Sequence, residues 1–326
     1  MDLKNAEAEW FRRISGQPVP DSEQPSGGQH RTEEPMAPTR RKGNGLKDVA
    51  GMEQVKQLMT EGFINVLKNR DCARVYGVRP PAVLLYGPAG CGKTFLAEKV
   101  AEELGIHFMK VVPDDLASTM VHGTQEKIGK VFDEAARKAP TLLFFDEFDA
   151  MVPRRSADEA NQHYNSEVNE FLCRLNNASE RGVYVLAATN RPESIDKAVL
   201  RTGRIDETVY IGMPDAEARR ELFRLALARL PKDEQLDLER LAQLADGFNC
   251  SDICYVVHIA ARRMFNATIS GPDRTYRNIT QALLEEVIAR RSPSVSPKDL
   301  REYERMRLAL SPRDRQTARQ TTIGFI

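Results

Sequence analysis

The chain lacks the features that mark secreted, membrane-spanning and zinc-dependent proteins. Its 326 residues contain no apolar run of about 18 residues and no basic start followed by an apolar stretch, so we expect neither a membrane span nor a secretory signal. The five cysteines follow no disulfide pattern, and the five histidines form no His-Glu-x-x-His motif. We therefore expect reduced thiols, no peptidase zinc site and a cytoplasmic location.

An excess of charge of one sign is also missing. The 47 basic and 47 acidic side chains cancel at neutral pH, so the chain has no global attraction for DNA or RNA. A local basic groove stays open as an alternative. The balance of charge nevertheless favours a partner other than nucleic acid.

What the chain does contain is Gly87-Pro-Ala-Gly-Cys-Gly-Lys93-Thr94, which follows the apolar run Ala82–Tyr86 and precedes a helix-patterned stretch. Glycines let successive backbone N–H groups turn towards a polyphosphate, a lysine supplies positive charge at its outer phosphates, and a threonine hydroxyl can hold Mg²⁺. The order of strand, loop and helix argues against an ordinary glycine turn. The residues predicted to contact nucleotide here are Pro88, Ala89, Gly90, Cys91, Gly92, Lys93, Thr94 and Phe95.

Two acids follow the apolar run Thr141–Phe145. The run is too short for a helix and suits a buried parallel strand, whose carboxyl end would lie beside the phosphate loop. There Asp146 can position Mg²⁺ together with Thr94, and Glu147 can polarise an attacking water. Adjacent acids are more often a solvated loop start, which is the alternative. Their spacing after the phosphate loop favours nucleoside triphosphate hydrolysis.

A third apolar run, residues 182–188, leads into Asn190, whose amide can hydrogen-bond the attacking water. Farther along, Arg201 and Arg204 lie three residues apart, and the guanidinium group suits the charge on a terminal phosphate. We interpret the pair as candidate arginine fingers. Surface ion pairs with neighbouring acids are the alternative that spacing alone leaves open.

In this order the four motifs resemble the Walker A, Walker B, sensor 1 and arginine-finger motifs of the AAA family of ATPases, and the similarity runs from about Leu46 to about Leu310. The resemblance implies ATP hydrolysis, with ATP and Mg²⁺ bound. It also implies an α/β fold: a P-loop NTPase three-layer αβα sandwich with a parallel sheet, followed by a small all-α lid domain.

Two further segments carry the prediction of adenine binding. Residues 46–53 are similar to the family's entry segment, and to that of the AAA proteases, although no protease motif accompanies them. Residues 247–253 are similar to the segment that opens a lid helix near adenine and ribose, with a cysteine in place of a glycine. The candidate contacts implied by this resemblance are Asp48, Ala50, Cys250 and Ser251.

The family usually works as a ring, so the resemblance implies a homo-oligomer, which we expect to be a hexamer. Arg201 and Arg204 would then complete the site of the neighbouring subunit. The family's first pore loop corresponds to Met120, Val121 and His122, with Val121 where an aromatic residue is common. Either these residues grip a protein substrate, or they form an ordinary loop before a helix.

The organisation that we expect has four parts. Residues 1–45 form a flexible arm with a possible short helix, in which Trp10 and Phe11 either dock on a partner or are disordered. The helix starting near Ser296 is similar to the C-terminal helix of the katanin and spastin branch, which touches the neighbouring subunit. The other parts are the large α/β ATPase domain (46–213), the small helical lid domain (214–310) and the C-terminal tail (311–326).

The leading hypothesis is an Mg²⁺-dependent ATPase that couples hydrolysis to remodelling, disassembly or unfolding of a protein partner, either a client or an adaptor. The alternative is a nucleotide-gated assembly switch, or a regulatory ATPase, that threads no substrate. The valine in the pore loop motivates that alternative. A motor on nucleic acid ranks third, because the charge balance disfavours it.

Overall fold

This computed structural model of the protein describes residues 43–117, 123–154, 162–201, 203–271 and 275–310, with residues 162–167 described by their backbone alone. The strands are β1 (Ala82–Tyr86), β2 (His107–Val111), β3 (Thr141–Phe145), β4 (Val183–Thr189) and β5 (Ile205–Tyr210). They form one sheet in the order β2-β3-β4-β1-β5, and every neighbouring pair runs parallel.

The central strands are apolar on both faces, which is why they read as continuous hydrophobic runs in the sequence. Every residue of β3 and β4 is buried. Successive side chains point to opposite faces, so that Phe145 joins one apolar cluster with Phe132 and Phe171, while Phe144 joins another with Leu96. Helices cover both faces, and the predicted parallel αβα sandwich is confirmed.

Eight α-helices surround the sheet in the described part of the chain. They are α1 (Glu53–Met59), α2 (Asn65–Lys68), α3 (Arg70–Val75), α4 (Lys93–Leu104), α5 (Pro113–Leu116), α6 (Gly123–Arg137), α7 (Phe148–Met151) and α8 (Gln162–Asn176). A π-helical turn, Thr60–Ile64, joins α1 to α2, and short 3₁₀ turns cover Gly45–Asp48, Ser179–Arg181 and Pro192–Ser194.

After β5 the chain is helical, as predicted. The helices are α9 (Ala216–Leu227), α10 (Leu238–Leu244), α11 (Cys250–Ile269), α12 (Gln281–Ala289) and α13 (Pro297–Leu310). The first four begin after a residue whose side chain accepts a backbone N–H, each worth about 1 kcal/mol, and these caps are Asp215, Asp237, Asn249 and Thr280. Their apolar faces build a core of their own around Phe223, Leu241 and Ile253.

The last strand ends at Tyr210 and the first of these helices begins at Ala216, on either side of the domain limit that we predict after residue 213. That limit stays a prediction. Three other predicted elements lie outside the described residues, namely most of the N-terminal arm, the pore loop Met120–His122 and the tail 311–326. Within the described ranges, no helix combines the length and hydropathy needed to cross a membrane.

Candidate functional site

The carboxyl ends of β3, β4 and β1 lie side by side, because these strands are neighbours in a parallel sheet. Asp146 follows β3, Asn190 follows β4 and Gly87 follows β1. The fold therefore brings three of the predicted motifs to one edge of the sheet, which is where open α/β folds bind their ligands.

Three glycines of the loop after β1 have positive φ, and at two of them a side chain would also clash. Gly87 has φ of +146°, and a Cβ atom there would stand 2.1 Å from the carbonyl oxygen of Ile211. Gly90 has φ of +75°, and a Cβ atom there would meet the side chains of Asn249 and Ser251. With α4 starting directly after Gly92, the loop forms a tight turn at a helix N-terminus, the geometry that binds phosphate through backbone N–H groups.

The Lys93 side chain folds back into this loop. Its Nζ donates hydrogen bonds of 2.8 Å to the carbonyl oxygens of Gly87 and Pro88, and the residue is buried. Burial lowers the pKa of the Lys93 ammonium from its ordinary value to about 8. Two carbonyl groups thus hold a poorly solvated cation inside the turn, where an anionic ligand would stabilise its charge.

Thr94 and Asp146 meet across the gap between the loop and β3. Thr94 Oγ1 donates to Asp146 Oδ2 over 3.1 Å, and Lys110 Nζ lies 2.8 Å from the same oxygen. A hydroxyl and a carboxylate are the hard oxygen ligands that Mg²⁺ prefers, and it commonly takes only one or two of them together with water and phosphate. No larger cluster of His, Cys, Asp or Glu suited to a metal occurs among the described residues. The residues present therefore fit Mg²⁺.

Glu147 has an uncommon backbone. Its φ of 53° and ψ of 46° lie in the left-handed region, which costs a residue other than glycine about 1–3 kcal/mol. Its N–H donates to Asp146 Oδ1 over 3.1 Å, and its side chain is exposed at the sheet edge. Such strain is concentrated at functional sites.

The end of β4 is held by hydroxyl groups. The buried Thr189 hydroxyl donates to Asp149 Oδ1 over 2.6 Å and accepts from the N–H of Arg191. The next residue, Asn190, is half-buried, and its main-chain oxygen accepts a 2.6 Å hydrogen bond from the hydroxyl of Tyr303. Hydrogen bonds therefore hold both the Thr189 side chain and the main chain of Asn190.

The two predicted arginine fingers lie beyond this cluster. Arg201 is exposed, and Arg204 donates from Nη1 to the carbonyl oxygen of Ala198 over 2.6 Å. Within the described ranges neither arginine forms an ion pair with an acidic side chain, so the surface-pair alternative gains no support. Their hydrogen bonds join them to their own loop rather than to the phosphate loop.

The entry segment is tied to the helix that follows the phosphate loop. Asp48 Oδ2 forms a 2.7 Å salt bridge with Lys99 Nζ of α4. Burial disfavours the Asp48 carboxylate, but hydrogen bonds from Lys99 and Asn44 outweigh it and hold its pKa below the ordinary value. Ala50, two residues after Asp48, is buried. The Asp48 side chain is thus engaged by a cation, which leaves the segment's backbone as the candidate for contact with a base.

The helical region reaches the phosphate loop through the N-terminus of α11. Asn249 Nδ2 donates to the carbonyl oxygen of Ala89 over 3.1 Å, and the N–H of Ser251 donates to that of Gly90. Cys250 lies between these contacts and is buried. Burial raises the pKa of the Cys250 thiol to about 12 and that of Cys91 to about 11, so both stay protonated at neutral pH.

Four side chains at this edge were absent from the sequence predictions: Lys110, Asp149, Asn249 and Tyr303. The role of Asn249 could have been predicted, since an asparagine three residues before an aspartate is typical of a helix N-cap. Lys110 sits near the end of a strand whose position follows from the fold. Asp149 and Tyr303 depend on contacts with residues 40 and 113 positions away in the chain, which no local pattern contains.

Comparison with known proteins agrees with this geometry. Residues 83–213 match the family described as "ATPase family associated with various cellular activities (AAA)". The chain is 33% identical over 270 residues to the Cell division cycle protein 48 homolog of Archaeoglobus fulgidus, which covers 80% of this chain and 37% of that protein. It is 34% identical over 239 residues to the human ATPase family gene 2 protein homolog A, which covers 72% of this chain and 27% of that protein.

A third relative is the mouse protein named Nuclear valosin-containing protein-like, 32% identical over 275 residues, with 81% of this chain and 32% of that protein covered. The chain thus spans about a third of the length of these curated relatives.

Proposed function

The chain carries a domain of the AAA family of ATPases, and from this premise we propose that it is an Mg²⁺-dependent ATPase that couples ATP hydrolysis to remodelling, disassembly or unfolding of a protein partner. The observation that carries the enzymatic part is the meeting of Lys93, the Thr94–Asp146 pair and Glu147 at one edge of the sheet. The remodelling part rests on the family resemblance.

In this proposal the phosphate loop binds ATP through its inward-facing N–H groups. Lys93 exchanges its two carbonyl partners for phosphate oxygens, which stabilise its charge better than neutral carbonyls do. Thr94 and Asp146 hold Mg²⁺, which supplies neutralisation of the phosphate charge when bound. The backbone of residues 48–50 and the Asn249–Ser251 turn flank the base and ribose.

Glu147 acts as the general base for the attacking water and takes up its proton. The Glu147 side chain is exposed, so its carboxylate can approach a water that lies beyond the terminal phosphate. Asn190 donates from its side-chain amide to orient that water. No group of the protein has to form a covalent bond, because positioning and charge stabilisation supply most of the rate in phosphoryl transfer.

Arg201 and Arg204 act, in this proposal, on the site of a neighbouring subunit in a hexameric ring. Arg201 is exposed and Arg204 half-buried, so both are accessible to a second copy. Arginine fingers raise phosphoryl-transfer rates by about 10³–10⁵. The isolated chain would therefore be a poor ATPase. We also place the protein in the cytoplasm, which fractionation of cells expressing a tagged chain would test.

The first experiment compares Glu147→Gln with Lys93→Ala. We expect Glu147→Gln to bind ATP with near-normal affinity but to release phosphate at least a hundredfold more slowly, because it lacks the base. Lys93→Ala should bind ATP weakly. Phosphate release, binding of a fluorescent ATP analogue and particle mass in ATP are the measurements. Hydrolysis by Glu147→Gln at the wild-type rate would end the proposal.

A mixing experiment tests whether the arginines act between subunits. Glu147→Gln keeps its arginines but lacks the base, whereas Arg204→Ala keeps the base but lacks one finger. If the fingers act in trans, a mixture of the two inactive variants regains part of the activity, since some sites combine an intact base with an intact neighbour. If each arginine serves its own site, the mixture stays inactive.

The partner is tested with a permanently unfolded polypeptide added to the wild-type protein. A rise in the rate of phosphate release, absent in Lys93→Ala, would support coupling to a protein client. Hydrolysis that ignores the polypeptide, together with an ATP-dependent change in particle mass, would favour the nucleotide-gated switch instead.

A further inference from the structure

The C-terminal helix α13 lies against the same sheet edge as the proposed site. Its Tyr303 hydroxyl donates a 2.6 Å hydrogen bond to the main-chain oxygen of Asn190, the residue directly after β4. One turn later, the Arg307 guanidinium lies 5.7 Å from the centre of the Tyr210 ring at the end of β5. Two side chains on one face of the helix therefore contact two strand ends.

Those strand ends flank the phosphate loop. β1 lies between β4 and β5 in the sheet, and its last residue, Tyr86, packs its ring against Tyr210 at 5.5 Å. Gly87 follows Tyr86 directly, so the contacts of α13 fall on both sides of the strand that carries the loop. The helix thus contacts the strands on either side of the phosphate loop, within a single chain.

From this geometry we propose that Tyr303 is a positioning residue for hydrolysis, which orients the side chain of Asn190 by holding its carbonyl group. The inference rests on the proposed function, because it presupposes that Asn190 orients the attacking water. The N–H of the same peptide, on Arg191, donates to the Thr189 hydroxyl, which in turn donates to Asp149. The Tyr303 hydrogen bond supplies the second constraint on this peptide, so the backbone that carries the Asn190 side chain is held from both sides.

The Tyr303 hydroxyl is suited to this role at any physiological pH. Burial raises its pKa to about 12, so it stays a donor throughout the range in which the protein would work. The charged groups around it are Glu193 and Arg191 from the β4 side and Asp299 from its own helix. The oxygen that it serves belongs to the main chain and does not titrate.

The test is Tyr303→Phe, which removes one oxygen and keeps the ring that packs the helix. We expect kcat for ATP to fall roughly three- to tenfold, the effect of losing one hydrogen bond, with KM for ATP unchanged. Tyr276→Phe is the matched control, since Tyr276 belongs to the same helical region and is 84% exposed. A Tyr303→Phe protein with the wild-type kcat, or with KM and melting temperature altered but kcat intact, would overturn the proposal.

A double-mutant cycle separates positioning from simple packing. If Tyr303 acts through Asn190, then adding Tyr303→Phe to Asn190→Ala should lower kcat no further. The same loss in both backgrounds would show that Tyr303 acts by another route and would refute the inference. Failure of the proposed function itself would appear elsewhere, as normal hydrolysis by Glu147→Gln.

Discussion

The ends of β3 and β4 are adjacent at the same sheet edge, yet they are held by different kinds of interaction. At the end of β3, Asp146 accepts from the Lys110 ammonium and the Thr94 hydroxyl through one oxygen. At the end of β4, hydroxyl groups do the holding, from Thr189 to Asp149 and from Tyr303 to the main chain of Asn190. At the end of β3 a ligand can replace the charged partners of Asp146. At the end of β4 hydrogen bonds within the protein fix the position of the backbone.

This difference indicates a division of labour. The partners of Asp146 are a cation and a hydroxyl, both of which Mg²⁺ and phosphate can displace or share, so this end is built to change when ligand arrives. At the end of β4 the Thr189 hydroxyl and the main-chain oxygen of Asn190 are bonded within the protein, and a ligand gains nothing by breaking those bonds. We therefore expect changes in charge to act through β3 and changes in position to act through β4.

The largest effect should follow from removing the negative charge of Asp146, directly after β3. Asp146→Asn keeps the shape of the side chain but holds Mg²⁺ weakly, and it leaves Lys110 without its carboxylate. We expect kcat for ATP to fall roughly a hundredfold or more, since metal stabilisation of phosphate charge is worth several kcal/mol. The measurement is phosphate release across a Mg²⁺ titration.

Asp133→Asn is its control. Asp133 also pairs with a cation, Arg181 at 2.8 Å, but Arg181 precedes β4 at the opposite edge of the sheet. Activity within twofold of wild type in Asp133→Asn would show that losing a carboxylate as such is not the cause. Near-normal activity of Asp146→Asn would remove Asp146 from the proposed site.

A pH titration should separate the charged phosphate loop after β1 from the end of β4, with an effect of about tenfold on the affinity for MgATP. Burial lowers the pKa of Lys93 to about 8, and a bound polyphosphate would raise it again, so binding above that pH must take up a proton. Affinity for MgATP should therefore weaken as pH rises, by roughly tenfold from about pH 7 to about pH 9. Calorimetry in two buffers of different ionisation enthalpy would measure both affinity and proton uptake.

The contribution of the β4 end to kcat should not change over the same pH range, because burial raises the pKa of Tyr303 to about 12. The ratio of kcat between wild type and Tyr303→Phe is therefore expected to stay constant over this pH range at saturating MgATP. An affinity that does not change with pH, with no proton taken up, would contradict the assignment of Lys93 as the buried cation that meets phosphate.

The same division explains what the sequence could predict. The phosphate loop and the acids after β3 follow from local patterns, since a glycine-rich turn after an apolar run and carboxylates after a buried strand each lie within about ten residues. The parallel sheet follows from the repeated apolar runs, and this expectation about the fold is confirmed. The roles given to the individual site residues stay predictions.

Contacts between distant residues could not be predicted in this way. Tyr303 lies on a helix whose packing site no local pattern identifies, and the residue that it contacts lies 113 positions earlier in the chain. Lys110 is a polar residue of an edge strand, and its partner Asp146 can be identified only once β2 and β3 are paired. The sequence thus predicts the charged chemistry at β3 better than the positioning at β4.

The smallest effect that we expect comes from Lys110, and it has the opposite sign to the others. Lys110→Met removes a cation 2.8 Å from the oxygen that would hold Mg²⁺, so the metal no longer competes with an ammonium. Because Lys110 is 36% exposed and screened by water, the gain is small, roughly two- to fivefold in the Mg²⁺ concentration needed for half-maximal hydrolysis.

Lys138→Met is the matched control, since Lys138 pairs with Glu134 at 2.7 Å near the amino end of β3 and should leave that concentration unchanged. A higher Mg²⁺ requirement in Lys110→Met would mean that the ammonium orients Asp146 for the metal instead of competing with it. The end of β3 would then be held in place in the same sense as the end of β4, and the division between a charged, exchangeable strand end and a fixed one would not survive.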